Sequence, residues 1–213
     1  MKKILITALL MAGLTGIASA NLLSNGGFDD GGQTYGDYVG GCDLTNWYGW
    51  GAAISYSDWG VAPQAGDHAT MLSTWNEGGG GGVEQKPEVS VGTAYQFSGY
   101  YAIETAGYSG SATGFVGWID ASSTQISMEP FSVDLTGYTA GNWVHFEAFD
   151  SSGVTAPAGA VRAETQIAFT EGGATSYIDS FTFEAVPEPV SAGLLGMGLA
   201  FIYLLRKKIA RQA

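Results

Sequence analysis

The sequence predicts an all-β sandwich framed by two apolar terminal segments, and three observations carry that expectation. Between residues 21 and 186 apolar side chains recur with a period of two, and no helical period appears. Glycine reaches 33 of 213 residues, about twice the usual ~7%, and Val, Ile, Thr, Tyr, Phe and Trp fill the gaps. Both ends carry apolar runs flanked by basic residues, unlike the middle. The chain therefore divides into 1–20, 21–186 and 187–213.

The first segment reads as a signal peptide. Met1-Lys2-Lys3 is a positive n-region, Ile4 to Ile17 an apolar h-region, and Ala18-Ser19-Ala20 a small-residue cleavage pattern. Cleavage there leaves Asn21 as the N-terminus.

Strands follow in order. Asn21-Leu22-Leu23 is a short apolar strand entering a turn at Gly26-Gly27, and residues 31–46 form a long glycine-containing loop. Trp47 to Gly51 leads into Ala52–Tyr56, and His68–Leu72 is another strand. Gly78 to Gly82 reads as a flexible or tightly turning connection. It lacks the Lys-Ser/Thr of a phosphate loop, which excludes that route to nucleotide binding. Further on, Tyr95, Phe97, Gly99, Tyr101 and Ile103 share one face of a strand. Phe115, Gly117 and Ile119 repeat this as the core face, with Val116 and Trp118 opposite. Trp143–Phe149, Val161–Phe169 and Tyr177–Phe183 complete eight to nine strands at sandwich spacing. That number implies two stacked antiparallel sheets, a jelly roll.

Charge bounds the partners. Residues 21–186 hold two bases, Lys86 and Arg162, against nineteen acids, a net −17. Such a domain repels nucleic acid and other polyanions. Cys42 is the only cysteine, so no internal disulfide forms. The only histidines, His68 and His145, fit no zinc pattern, and no Gly-x-Ser-x-Gly elbow or EF-hand loop occurs. Carboxylate pairs for glycoside hydrolysis are too easily met by chance among so many acids to carry weight.

The tail has its own order. Val186-Pro187-Glu188-Pro189 precedes sixteen uncharged residues, Val190 to Leu205, and then Arg206-Lys207-Lys208. The prolines separate the domain from a following helix. A helix over 190–205 is ~24 Å long, and snorkelling bases bring it towards the ~30 Å membrane core. Basic residues on one side only mark that side as cytoplasmic. The Pro-Glu-Pro, apolar span and basic cluster resemble the PEP-CTERM sorting signal. That resemblance implies export, transient inner-membrane tethering and processing by an exosortase-type protease, with the domain ending at the cell surface or outside.

A second resemblance spreads over the domain. Asn21 to Asp29 followed by the Trp47/Trp50 segment, Gly92 to Ser98, Ala156 to Ala160 and Tyr177 to Phe181 are together similar to carbohydrate-binding modules with a galactose-binding-like jelly roll. The resemblance implies a structural calcium ion held in part by Asp29 and Asp179. Asp179 sits among Tyr177, Phe181 and Phe183, and a cation would offset the burial of its charge. Hydrogen bonds from backbone N–H groups, or exposure at the strand end, are the alternatives. Aromatic rings stack on sugars, and Trp59, Trp75, Tyr100 and Trp118 are the expected platform, with Trp47, Trp50 and Trp143 expected in the core. Three functions stay open. The favoured one is a non-enzymatic surface or matrix protein that touches extracellular polysaccharide. A purely structural or adhesive domain and a small hydrolase of surface polymers are the others.

Overall fold

The structure is a computed structural model, and it describes residues 20–30, 44–50, 53–56 (backbone only), 61–72, 81–108, 110–170 and 175–187. The expected signal peptide and the helix over 190–205 lie outside the described residues. Ala20–Val186 forms one compact unit. The second unit, Met1–Ser19 with Pro187–Ala213, lies outside the described residues except for Pro187.

Every regular element described is a strand, as period-two alternation requires. In chain order these are β1 (Tyr48–Trp50), β2 (Ala53–Tyr56), β3 (Ala69–Leu72), β4 (Gly81–Gln85), β5 (Ala94–Ile103), β6 (Ala112–Ile119), β7 (Gln125–Val133), β8 (Val144–Glu147), β9 (Val154–Thr155), β10 (Arg162–Phe169) and β11 (Ser176–Ala185). They pair antiparallel into two sheets. One runs β1-β4-β10-β6-β7; the other runs β2-β3-β11-β5-β8, with β9 also on β5.

The core lies between the sheets. β5 alternates as expected, and Tyr95, Phe97, Gly99, Tyr101 and Ile103 are all buried. Phe181 is a hub of this core: the rings of Phe28, Trp47, Phe97 and Phe146 lie within 5.4–5.9 Å of it, mostly edge-on. Gly99 faces the same ring. A Cβ there would sit 2.2 Å from Phe181 Cδ1, so only glycine lets the hub close.

Four local expectations are corrected. On β6 the core face is Val116 and Trp118, while Phe115 is half-exposed on the outer face and Ile119, past a shift in the β7 register, is buried as expected. Alternation separates two faces without saying which one points inward. Gly81 and Gly82 are buried strand residues of β4, not a connection. β7 has no counterpart among the expected strands, because its outward residues and Pro130 hide the alternation on an edge. Residues 21–23 form no regular strand, although Leu22 donates its N–H to the Phe183 carbonyl and Asn21 bridges Phe181 and Phe183 through its side-chain amide. The N-terminal segment thus satisfies backbone groups of β11 beyond the end of its pairing with β3.

Candidate functional site

The outer face of the five-stranded sheet is laid out by its register. Tyr48 pairs with Glu84, Glu84 with Gln166, Gln166 with Phe115, and Phe115 with Pro130, one row across all five strands. The neighbouring row is Trp50, Gly82, Ala168, Thr113 and Ser132. Because Val83, Ile167, Val116 and Phe131 fill the core, these alternate residues point outward.

Aromatic rings mark this face. Tyr48 is 65% exposed and stacks with Trp50 at 6.5 Å between centroids and 24° between planes. The indole of Trp50 lies over Gly82: a Cβ there would meet Trp50 Cζ2 at 2.2 Å and the Ile167 carbonyl at 2.7 Å. Small residues along the second row leave a flat track beside the rings. From Tyr48 on β1 to Phe115 on β6 is three strand spacings, ~14 Å, the length of a short oligosaccharide.

Polar groups sit between the rings. Lys86 Nζ lies 3.1 Å from Glu84 Oε1 and 3.3 Å from Glu164 Oε2. Burial pulls the Lys86 pKa down, but the hydrogen bond and charge of Glu84, then those of Glu164, outweigh it and hold it above the ordinary lysine value. Burial, then repulsion by Glu84, raises the Glu164 pKa despite Lys86. Two carboxylates thus share one ammonium beside Gln166. The arrangement can stack a sugar ring and hydrogen-bond its hydroxyls.

The expected platform is placed differently. Trp118 is 0% exposed, 6.1 Å from the Tyr95 ring, and therefore belongs to the core. Tyr100 is half-buried on the outer face of the other sheet, 4.9 Å from the His145 ring. It does not join Tyr48 and Trp50. Trp59 and Trp75 lie outside the described residues. Trp47 is buried as expected, whereas Trp50 is on the outer face. Trp143 is half-buried and donates Nε1–H to the Ala62 carbonyl at 2.8 Å. The missed signal is Tyr48-Gly49-Trp50: alternation puts both rings on one face, and glycines flank the second.

Asp29 and Asp179 grip one segment, residues 61–68. Asp29 Oδ1 accepts N–H groups from Asp67 (2.6 Å) and His68 (3.0 Å). Asp179 Oδ2 accepts those of Gln64 (2.8 Å) and Ala65 (3.2 Å), and Oδ1 that of Ser180. Asp179 is 0% exposed, and burial lifts its carboxyl to about 6, against the lowering effect of these hydrogen bonds. It does not share a face with Phe181 and Phe183. The β5–β11 register shifts between Asp179 and Thr182, where Ser180 has φ +52°, and this bulge turns Asp179 outward while Phe181 points into the core. Calcium takes six to eight oxygens. Among the described residues no three Asp, Glu, His or Cys side chains converge as a metal site. Asp29 through Oδ1 and Asp179 through both oxygens accept N–H donors, which is the hydrogen-bonded alternative to a calcium ion. Of the sorting motif, Val186 donates its N–H to the Ala94 carbonyl at 2.8 Å and Pro187 is exposed. Glu188, Pro189, Arg206, Lys207 and Lys208 lie outside the described residues.

No family model and no curated protein matches the chain. Solved structures match it at the level of fold. The module TmCBM61, in complex with β-1,4-galactotriose, is 17% identical, with 78% of this chain and 98% of that chain covered and a TM-score of 0.52. The Stig cyclase Fisc from Fischerella sp. TAU is 11% identical, covering 80% and 99%, with a TM-score of 0.54. The enzymatically active domain of tailspike protein 4 from bacteriophage CBA120 is 14% identical with a TM-score of 0.54. This chain covers 21% of that longer chain. The described residues are thus an all-β sandwich with the jelly-roll-like fold of carbohydrate-binding modules. That fold also serves a cyclase.

Proposed function

We propose that this is an exported, non-enzymatic surface or matrix protein whose sandwich binds extracellular polysaccharide through the outer face of the five-stranded sheet. The observation that carries the reading is Tyr48, 65% exposed and stacked on Trp50, in one row with Glu84, Gln166 and Phe115. The exposed Tyr48 ring, stacked on an indole that packs over Gly82, offers a surface on which sugar rings stack. The fold shared with a galactotriose-binding module supports the reading. The terminal segments support export, inner-membrane tethering by the 190–205 helix, and trimming near Val186–Pro189 by an exosortase-type protease.

The test is a glycan array with the protein purified from secreted material. Tyr48→Ala and Trp50→Ala should each weaken binding by roughly threefold to tenfold while leaving secondary structure unchanged. Retention of full affinity in both would dismiss the face. Intact mass of the same material reads the processing, and an unprocessed C-terminus would sink that part. Release of reducing ends from the bound polymer would establish a hydrolase instead.

A further inference from the structure

We infer that this face selects uncharged glycans and rejects those bearing uronate or sulfate, because the one ammonium beside its aromatic rows is already held by two carboxylates. The inference rests on the glycan-binding reading and names its substrate class. Residues 21–186 contain only two cations. Lys86 is paired with both Glu84 and Glu164, which come from adjacent strands β4 and β10 and together outnumber its single charge. Arg162 donates Nη2–H to Ser123 Oγ at 2.9 Å. It lies four residues along β10 from Gln166, ~13 Å from the Tyr48–Phe115 row. An acidic sugar stacked on Tyr48 would therefore bring its charge next to Glu84, where two carboxylates outnumber the one ammonium.

Like charges facing each other across an interface disfavour binding, and the net −17 of residues 21–186 repels a polyanion before it docks. A neutral hydroxyl meets none of this. It accepts from the amide of Gln166 and donates to the Glu84 carboxylate. Lys86 then acts through Glu84 and Glu164, fixing their side chains rather than touching the ligand.

An array carrying neutral hexose, N-acetylhexosamine, hexosamine, uronate and sulfated glycans tests this with the wild-type protein. Binding confined to the uncharged spots, and unchanged between low and high salt, is expected. Uronate or sulfate binding equal to the neutral signal would overturn the inference, as would preference for hexosamines, which would mean that the carboxylates recruit a cation. No binding to any spot would instead overturn the glycan reading itself, and the inference with it. The double variant Glu84→Gln/Glu164→Gln frees Lys86. Its melting curve reports whether it folds, and Glu164→Gln alone serves if it does not. Gain of uronate binding by tenfold or more over wild type, lost again at high salt, assigns the selectivity to the held ammonium. No gain in a folded variant overturns that assignment.

Discussion

Replacing Asp179 by Asn should change how the stability of the domain depends on pH. Asp179 is fully buried and its carboxyl lies at about 6 in the fold, against 3.8 for an unperturbed aspartate. A raised pKa means that the folded state binds the proton more tightly than the unfolded one. The contribution is thus fully present below pH 3.8 and is lost as pH rises through 6. About two pH units correspond to roughly 3 kcal/mol, or about 6–12 °C in Tm for a domain of this size. Glu164, whose pKa burial also raises, contributes in the same sense. Hydrogen bonds from Ser152 and Thr136 lower the pKa of Asp150 and Asp134, whose contributions run in the opposite sense and are lost only below pH 3.8. Tyr100 pairs across from Asp179, with His145 beyond it and Asp29 at the far end of the gripped segment. Only the difference between wild type and variant isolates Asp179. Asn keeps one carbonyl for the Gln64 and Ala65 N–H groups and cannot ionise. Its lost partner at Ser180 is a constant offset at every pH. Thermal melts of both proteins from pH 4 to 7 are the assay. The wild type should lose about 6–12 °C relative to the variant over that range. Parallel curves would show that Asp179 is hydrated or neutralised by another charge, and the burial argument would fail.

Three further outcomes follow from the packing. Trp118→Ala should cost about 3–5 kcal/mol, whereas Trp118→Phe should cost much less, because the indole N–H is buried without an acceptor; equal losses in a denaturant titration would refute this. Gly99→Ala should destabilise by about 1–3 kcal/mol by driving a methyl into the Phe181 ring, and an unchanged melt would mean the aromatic hub shifts freely. Chelator should leave the melting temperature unchanged, since Asp29 Oδ1 and both oxygens of Asp179 already accept N–H donors. A fall reversed by calcium but not magnesium would restore the ion.

The strand class and most strand positions were legible in the sequence because side-chain alternation is a local property. Tyr95 to Ile103 needs no partner to declare its two faces. Which face turns inward is not local. On β6 the pairing with β10 and β7 put Val116 and Trp118 between the sheets, against the expectation. A bulge is equally invisible: one extra residue at Ser180 reversed the parity of Asp179 relative to Phe181. The special character of Asp179 was readable, since a carboxylate in an apolar strand needs a partner; that the partner is the backbone of residues 64 and 65 was not. The binding face is the extreme case. Tyr48, Glu84, Gln166 and Phe115 come from four strands up to 118 residues apart, and only the order β1-β4-β10-β6 sets them in a row. Strand order depends on long-range pairing, which short-range spacing does not encode. The sequence by itself settled that this is an acidic, disulfide-free β domain. Tertiary structure decided which of its rings face water, because facing is a relation between strands.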